Sequence, residues 1–348
     1  LKKFILNLFL FGFVFATIFF FVSFLNHEEQ IEEQALNVPP SINRVASATP
    51  IEILPTVEIL AEPEKTEVSL LFGGDTMLAR TIGDKILKLE SPFANVQETF
   101  HTYDYVLLNL ECVIAQQGKQ ASGKLYTFRG PVEAAAMMQL AGVDIVSTAN
   151  NHSMDYGSEA FLQMLELLEI NNITQIGGGL DIDAAYKPLI IDKNGNRIAL
   201  FGFNSIENNF TDATEGKAGS ASLRNTLKVV EAIQEIDQSV DLVIPFVHWG
   251  TEYQTMHSIE QENLAQLMVD AGADLIVGTH PHVRQDVGEY NGTKIYYSLG
   301  NFVFDQMPQR SDSADQADML EVIIKNRELT STRLLPIELD QQGLPHLN

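Results

Sequence analysis

Leu275-Ile276-Val277-Gly278-Thr279-His280-Pro281-His282 is the stretch on which the fold turns. A short apolar run closed by a glycine reads as a buried strand, and a His-x-His pair follows where it stops. The same grammar recurs upstream. Residues 68–72 run into Gly73-Gly74-Asp75, residues 105–108 into Asn109-Leu110-Glu111, and residues 143–147 into Ala149-Asn150-Asn151-His152. Residues 242–247 run into His248-Trp249-Gly250. Helix patterns over 131–141, 158–170, 222–236 and 258–271 fall among these runs, and Gly142 and Gly272 close two of them. Such alternation predicts an α/β fold with largely parallel pairing. The later runs 294–299, 319–324 and 331–338 lack intervening helices and predict an antiparallel addition. No repeat of fixed period is present.

In open α/β sheets, sites form beyond the carboxyl ends of strands. Successive strand ends here present Asp75, Glu111, Asn151 with His152, His248, and His280 with His282. Carboxylates, an amide oxygen and imidazoles make a mixed N/O donor set suited to Zn, Mn or Fe, and less to Ca or Mg. A bridging carboxylate holds two ions roughly 3.5–4 Å apart, which together activate a water and clamp a phosphoryl group. Each element alone is weak. A lone His after a strand is more often packed or at the surface, as expected for His27, His101, His257 and His346, and Asn150-Asn151-His152 reads equally as a turn. The ordered set carries the argument.

The series Gly74-Asp75-Thr76-Met77, Asn109-Leu110-Glu111, Ala149-Asn150-Asn151-His152-Ser153-Met154-Asp155-Tyr156-Gly157, Val247-His248-Trp249-Gly250, Gly278-Thr279-His280-Pro281-His282 and Ser298-Leu299-Gly300-Asn301-Phe302 resembles the CapA family. These are bacterial poly-γ-glutamate capsule-synthesis proteins of the calcineurin-like metallophosphoesterase superfamily. The resemblance spans about residues 68–305 and implies a four-layer αββα sandwich. It implies that Asp75 and His282 bind a first metal, that Glu111 bridges, and that Asn151, His248 and His280 complete a second site. His152 becomes a general acid oriented by Asp155. Two departures stand out: Met77 occupies the place of a usual His ligand, and Glu111 that of a usual Asp. One firmly bound divalent metal and a second that is weak or absent are therefore expected.

Around this set, Lys124 and Arg129 precede a helix start and are candidate anion contacts, with an ordinary exposed loop as the plainer reading. Asn301 and Asp305 are candidate polar contacts. Trp249 and Tyr253 read as core packing before pocket lining, and Cys112 as a small buried residue.

Residues 4–25 hold 18 apolar residues and no charge, with Lys2 and Lys3 before them and four glutamates soon after. That pattern predicts a membrane anchor over residues 1–26 with the remainder outside. A cleaved signal peptide fits less well, because its apolar core is usually shorter, about 7–15 residues, and ends at a small-x-small site. Residues 27–66, with eight Glu, five Pro and no Gly, read as an extended linker. The folded domain is expected at 67–340, with a tail at 341–348. The 348 residues carry a net charge of −24, which argues against nucleic acid as a partner, and the single cysteine excludes an internal disulfide framework. With the resemblance, this implies a single-pass, outward-facing membrane protein that serves poly-γ-glutamate synthesis or export through a metal-binding hydrolase-type site, beside membrane synthase subunits. Its alternative is a non-catalytic accessory subunit that holds the anionic polymer through metal.

Overall fold

The computed structural model describes residues 66–206, 210–305 and 312–348. The expected anchor and nearly all of the linker lie outside those residues. No helix among the described residues is long and apolar enough to cross a membrane.

In chain order the first half contributes β1 (Glu67–Thr76), α1 (Arg80–Leu87), α2 (Gln97–Phe100), β2 (Tyr105–Leu110), α3 (Glu133–Ala141), β3 (Ile145–Ser147), α4 (Gly157–Ile170) and β4 (Thr174–Ile176). Next come α5 (Ile182–Tyr186), β5 (Leu189–Lys193), β6 (Asn196–Asn204), α6 (Thr226–Asp237), β7 (Leu242–His248), α7 (Ile259–Ala271) and β8 (Leu275–Thr279). The chain closes with β9 (Val287–Tyr290), β10 (Thr293–Tyr296), β11 (Asn301–Val303), β12 (Gln316–Lys325), β13 (Glu328–Leu339) and β14 (Pro345–Leu347).

One sheet runs β14-β13-β12-β1-β2-β3-β4 with β11 beside the end of β1, and the other runs β9-β10-β8-β7-β6-β5. Strands β1 to β4 pair in parallel, as do β6, β7, β8 and β10, while β12 joins β1 antiparallel. The expected antiparallel addition is thus β12–β14, whereas β10 joins its sheet in parallel. Between the sheets lies an apolar core in which Phe72 and Leu107 join Ile244, Phe246 and Val277. Phe72 meets Phe246 edge-on at 5.4 Å. Ile82, Met138 and Phe161 cover the outer face of the first sheet, and Val229, Ile233 and Met268 that of the second. The result is helix, sheet, sheet, helix.

Local chemistry explains the boundaries. A capping box of Ser258 and Gln261 starts α7, Asn225 caps α6, and Gly142 ends α3 in a left-handed turn. Helix α6 consequently begins at Thr226 and not at 222. The expected tail at 341–348 is instead part of the sheet: β14 pairs with residues 337–339 of β13. Asp340 accepts from Gln342 N at 2.7 Å and Leu344 N at 3.0 Å, folding the intervening residues into a turn.

The sheets bring their carboxyl ends to one end of the sandwich. Asp75 lies at the end of β1, just after a register shift against β2. A Cβ on Gly74 would sit 1.9 Å from Gly300 O, so only glycine lets β1 pass that close and aim Asp75.

Candidate metal centre

Six side chains from five strand ends meet in the interior. Asp75, Glu111, Asn151, His248, His280 and His282 are each at most 6% exposed. They fall into two overlapping donor groups. Glu111, His248 and His280 offer ligand atoms within 4.8 Å of one another, and so do Asp75, Glu111 and His282. Asn151 Oδ1 sits 2.9 Å from His248 Nε2, beside the first of these groups.

The surrounding bonds aim each donor. His248 Nδ1 pairs with Thr279 Oγ1 at 3.1 Å, which leaves Nε2 toward Glu111 at 3.8 Å. His282 Nδ1 pairs with Asn301 Oδ1 at 2.9 Å and turns Nε2 toward Glu111 Oε1 at 3.7 Å. Asn109 Nδ2 donates to Asp75 Oδ1 at 2.7 Å, and His280 N donates to Asp75 Oδ2 at 3.1 Å. Both His280 (φ 97°) and His282 (φ 60°) hold left-handed backbone, which residues other than glycine rarely adopt. Strain of that kind persists where the surroundings fix a residue for a purpose.

Glu111 tests whether a metal fits. Its carboxylate is fully buried, yet neither oxygen has a hydrogen-bond partner. A buried ion without partners is costly, and a divalent cation shared by both donor groups supplies what is missing. Electrostatics agree. Burial, with the Asp75 charge beside it, raises Glu111 well above its ordinary range. Burial pulls His280 down to about 3 and His248 well below its ordinary value, so both imidazoles are neutral and ready to ligate. On His282 burial acts in the same sense, but the Glu111 and Asp75 carboxylates outweigh it and hold the imidazolium up to about 10. Asp75 is lowered: its hydrogen bond and charge contact with His282 overcome the effect of burial.

His152 stands next to the donors without joining them, its Nε2 3.9 Å from Glu111 Oε1. Its Nδ1 pairs with Asp155 Oδ2 at 2.7 Å, and Phe128 stacks on the ring at 4.1 Å. Burial pulls His152 down to about 4 although Asp155 opposes this.

The outlying candidates fare differently. Lys124, expected to meet an anion, is bonded to Asp155 Oδ1 at 2.7 Å and to the Asn151 carbonyl, with its side chain 15% exposed. Arg129 is exposed and lies over the Tyr156 ring at 4.2 Å, so the structure gives it no place among the donors. Asn301 orients His282, and Asp305 pairs with Arg80 and accepts from Thr81 Oγ1 at 2.6 Å. Met77 is buried in the outer core, where its sulfur accepts from Ala79 N at 3.2 Å. Trp249 is core; its indole donates to Tyr297 O at 2.8 Å. Tyr253 is 38% exposed, its ring 6.0 Å from that of His282. Burial pushes the Cys112 thiol up to about 12, which suits packing and not nucleophilic attack. Asn109, Asn150 and Thr279, which the sequence shows only as neighbours of donors in their motifs, are hydrogen-bonding supports of the centre. Asn150 Nδ2 donates to Leu110 O at 2.8 Å and its Oδ1 accepts from His152 N at 3.0 Å, tying two strand ends together.

Comparison with known proteins follows the same outline. The family model described as bacterial capsule synthesis protein PGA_cap matches residues 69–306. The PGA biosynthesis protein CapA of Bacillus subtilis (strain 168) is 36% identical over 253 residues, covering 69% of this chain and 64% of that relative's length. The capsule biosynthesis protein CapA of Bacillus anthracis is 29% identical over 308 residues, covering 86% of this chain and 74% of the relative. Among solved structures, the NAD nucleotidase of Haemophilus influenzae aligns with a TM-score of 0.44 at 16% identity, covering 81% of this chain and 53% of that one.

Proposed function

We propose, on the premise that the chain belongs to the bacterial capsule synthesis protein family PGA_cap, that it serves poly-γ-glutamate synthesis or export with a metal-dependent hydrolase site. Glu111 carries the hydrolase reading: a fully buried carboxylate, neither oxygen hydrogen-bonded, shared by two donor groups. The uncharged residues 4–25 behind Lys2 and Lys3 support a single-pass anchor with the domain outside the cell. The N/O donor set favours Zn, Mn or Fe. Glu111, His248, His280 and Asn151 would hold one ion firmly. Asp75, Glu111 and His282 would hold a second weakly, because Met77 contributes nothing to that group.

A divalent ion held there would supply an activated water and polarise the phosphoryl or carbonyl group whose phosphorus or carbon that water attacks. The chain's own residues do the rest. Asp155 fixes the His152 ring through Nδ1 and leaves Nε2 toward the donors. His152 is neutral before substrate arrives. With the proton on Nε2, His152 would hand it to the leaving group while Asp155 holds the ring through Nδ1.

A γ-glutamyl polymer contains amide bonds and no phosphate, so the scissile bond is a phosphoester of a precursor or the amide itself. Incubating the protein and Mn or Zn with generic phosphodiesters and with γ-glutamyl polymer in parallel separates the two. A second reading, a non-catalytic subunit that holds polymer for a membrane synthase, is favoured by the ligand-poor group around Asp75. If polymer production survives both His152→Ala and His248→Ala, the enzyme reading gives way to it.

A further inference from the structure

We propose that Lys124 is a positioning residue, clamping Asp155 and the Asn151 carbonyl so that His152 presents Nε2 to the metal donors. The proposal rests on the reading of His152 as the group that moves a proton. The Lys124 ammonium bonds Asp155 Oδ1 at 2.7 Å and, on the other side of His152 in the chain, the carbonyl of Asn151. Asp155 is fully buried, and its other oxygen is shared by Phe128 N at 2.6 Å and His152 Nδ1 at 2.7 Å. Lys124 is therefore the acceptor's counter-charge: without it, Oδ1 is a buried carboxylate oxygen with no described partner.

The second bond gives the lysine a wider role. Asn151 presents its side-chain oxygen 2.9 Å from His248 Nε2, and the next residue in the chain is His152. One ammonium thus fixes the backbone of a metal-donor residue and the carboxylate that aims the imidazole. The same short segment brings Phe128, whose ring lies 4.1 Å from that of His152 and blocks its tilt. The segment is itself pinned, since Ala121 N donates to Asp155 O at 2.8 Å and Gln116 N donates to Gln163 Oε1 at 2.8 Å. A cation suits this place because its charge and several donors serve a carbonyl and a buried carboxylate at once, which a guanidinium also supplies and a thioether does not.

The test uses the full chain labelled with 15N in its eight histidines. In metal-free wild type, His152 should show one tautomer, Nδ1 protonated and Nε2 bare. In Lys124→Met the two nitrogen signals should converge as the ring loses its fixed partner, and Lys124→Arg should keep them apart. Asp155→Asn should reproduce the convergence, and adding Lys124→Met to it should change nothing further. Should Lys124→Met fail to fold, Lys124→Gln is read the same way. With metal restored, Lys124→Met should lose about 10-fold or more on an alkyl phosphodiester but under about 3-fold on a nitrophenyl ester, whose leaving group needs no proton. An unchanged His152 spectrum, or equal losses on both esters, overturns the proposal. If wild type cleaves neither ester with any metal, the hydrolase reading fails, and the tautomer comparison still decides the role of Lys124.

Discussion

Glu111→Gln should stabilise the metal-free protein and abolish its stabilisation by metal. The substitution keeps the shape and removes a charge whose two oxygens are buried without partners. Because the folded carboxyl is raised above its ordinary 4.5, its contribution to stability is intact below that value and is lost as pH rises through the folded value. Between pH 4.5 and 7 the ceiling on this loss is about 3.4 kcal/mol, at 1.36 kcal/mol per unit. The His282 imidazolium, 3.7 Å away, offsets part of it, so about 1–2 kcal/mol is the expected gain for Glu111→Gln at pH 7. Thermal unfolding in chelator at pH 5 and pH 7 measures this, with the variant nearly equal to wild type at the lower pH and more stable at the higher. Added Zn or Mn should then reverse the order, since a ligand at a thousand times its Kd adds about 4 kcal/mol to the wild type alone. Glu111→Gln less stable than wild type in chelator at pH 7, or stabilised equally by metal, would refute the assignment of Glu111 as the shared ligand.

His152→Ala should keep its metal, measured by elemental analysis, while any hydrolysis falls by about 10²–10⁴-fold. Loss of metal from that variant would place His152 among the ligands. His248→Ala should fall to background metal content after growth with Zn and Mn; retention of a full equivalent counts against the firmer group. Gly74→Ala should destabilise by about 3 kcal/mol or more, because its Cβ would meet backbone at 1.9 Å, and should weaken metal binding through Asp75; unaltered melting would contradict that close approach. Arg129→Ala should leave activity unchanged and cost at most about 1 kcal/mol, the worth of an exposed contact with Tyr156. A large rise in KM would return Arg129 to the substrate.

Strand ends were readable in the sequence because a buried parallel strand is a short apolar run, and the chemistry begins where the run stops. That rule reaches Asp75, Glu111, Asn151, His248, His280 and His282 without knowledge of sheet order. The β5–β6 hairpin has an equally plain signal: Asn194 and Gly195, both with positive φ, form the kind of turn such a pair favours. Strand β14 is harder, since three residues pairing on an edge leave almost no periodicity. Lys124 illustrates a deeper limit. A basic residue near a helix start looks the same in sequence whether it faces a ligand or a buried carboxylate, and only the fold brings Asp155 within 2.7 Å. Asn109 and Thr279 escape for the same reason, as their roles are hydrogen bonds to residues distant in the chain.

Charge sharpens what the metal is for. Residues 67–348 carry 38 acidic against 18 basic side chains, so the domain's long-range field repels a polyanion. Among the described residues, Lys124 is engaged by Asp155 and Arg80 by Asp305. Two carboxylates, Asp75 and Glu111, stand among the donors themselves. An anionic substrate approaching the metal-free centre meets that pair opposed, among the described residues, by the His282 imidazolium and by Lys124, whereas each divalent ion bound there would add two positive charges in a buried site. Removing metal should therefore abolish retention of an anionic ligand as well as its turnover. Screening beyond about 8 Å at physiological salt leaves this local sign change as the term that decides.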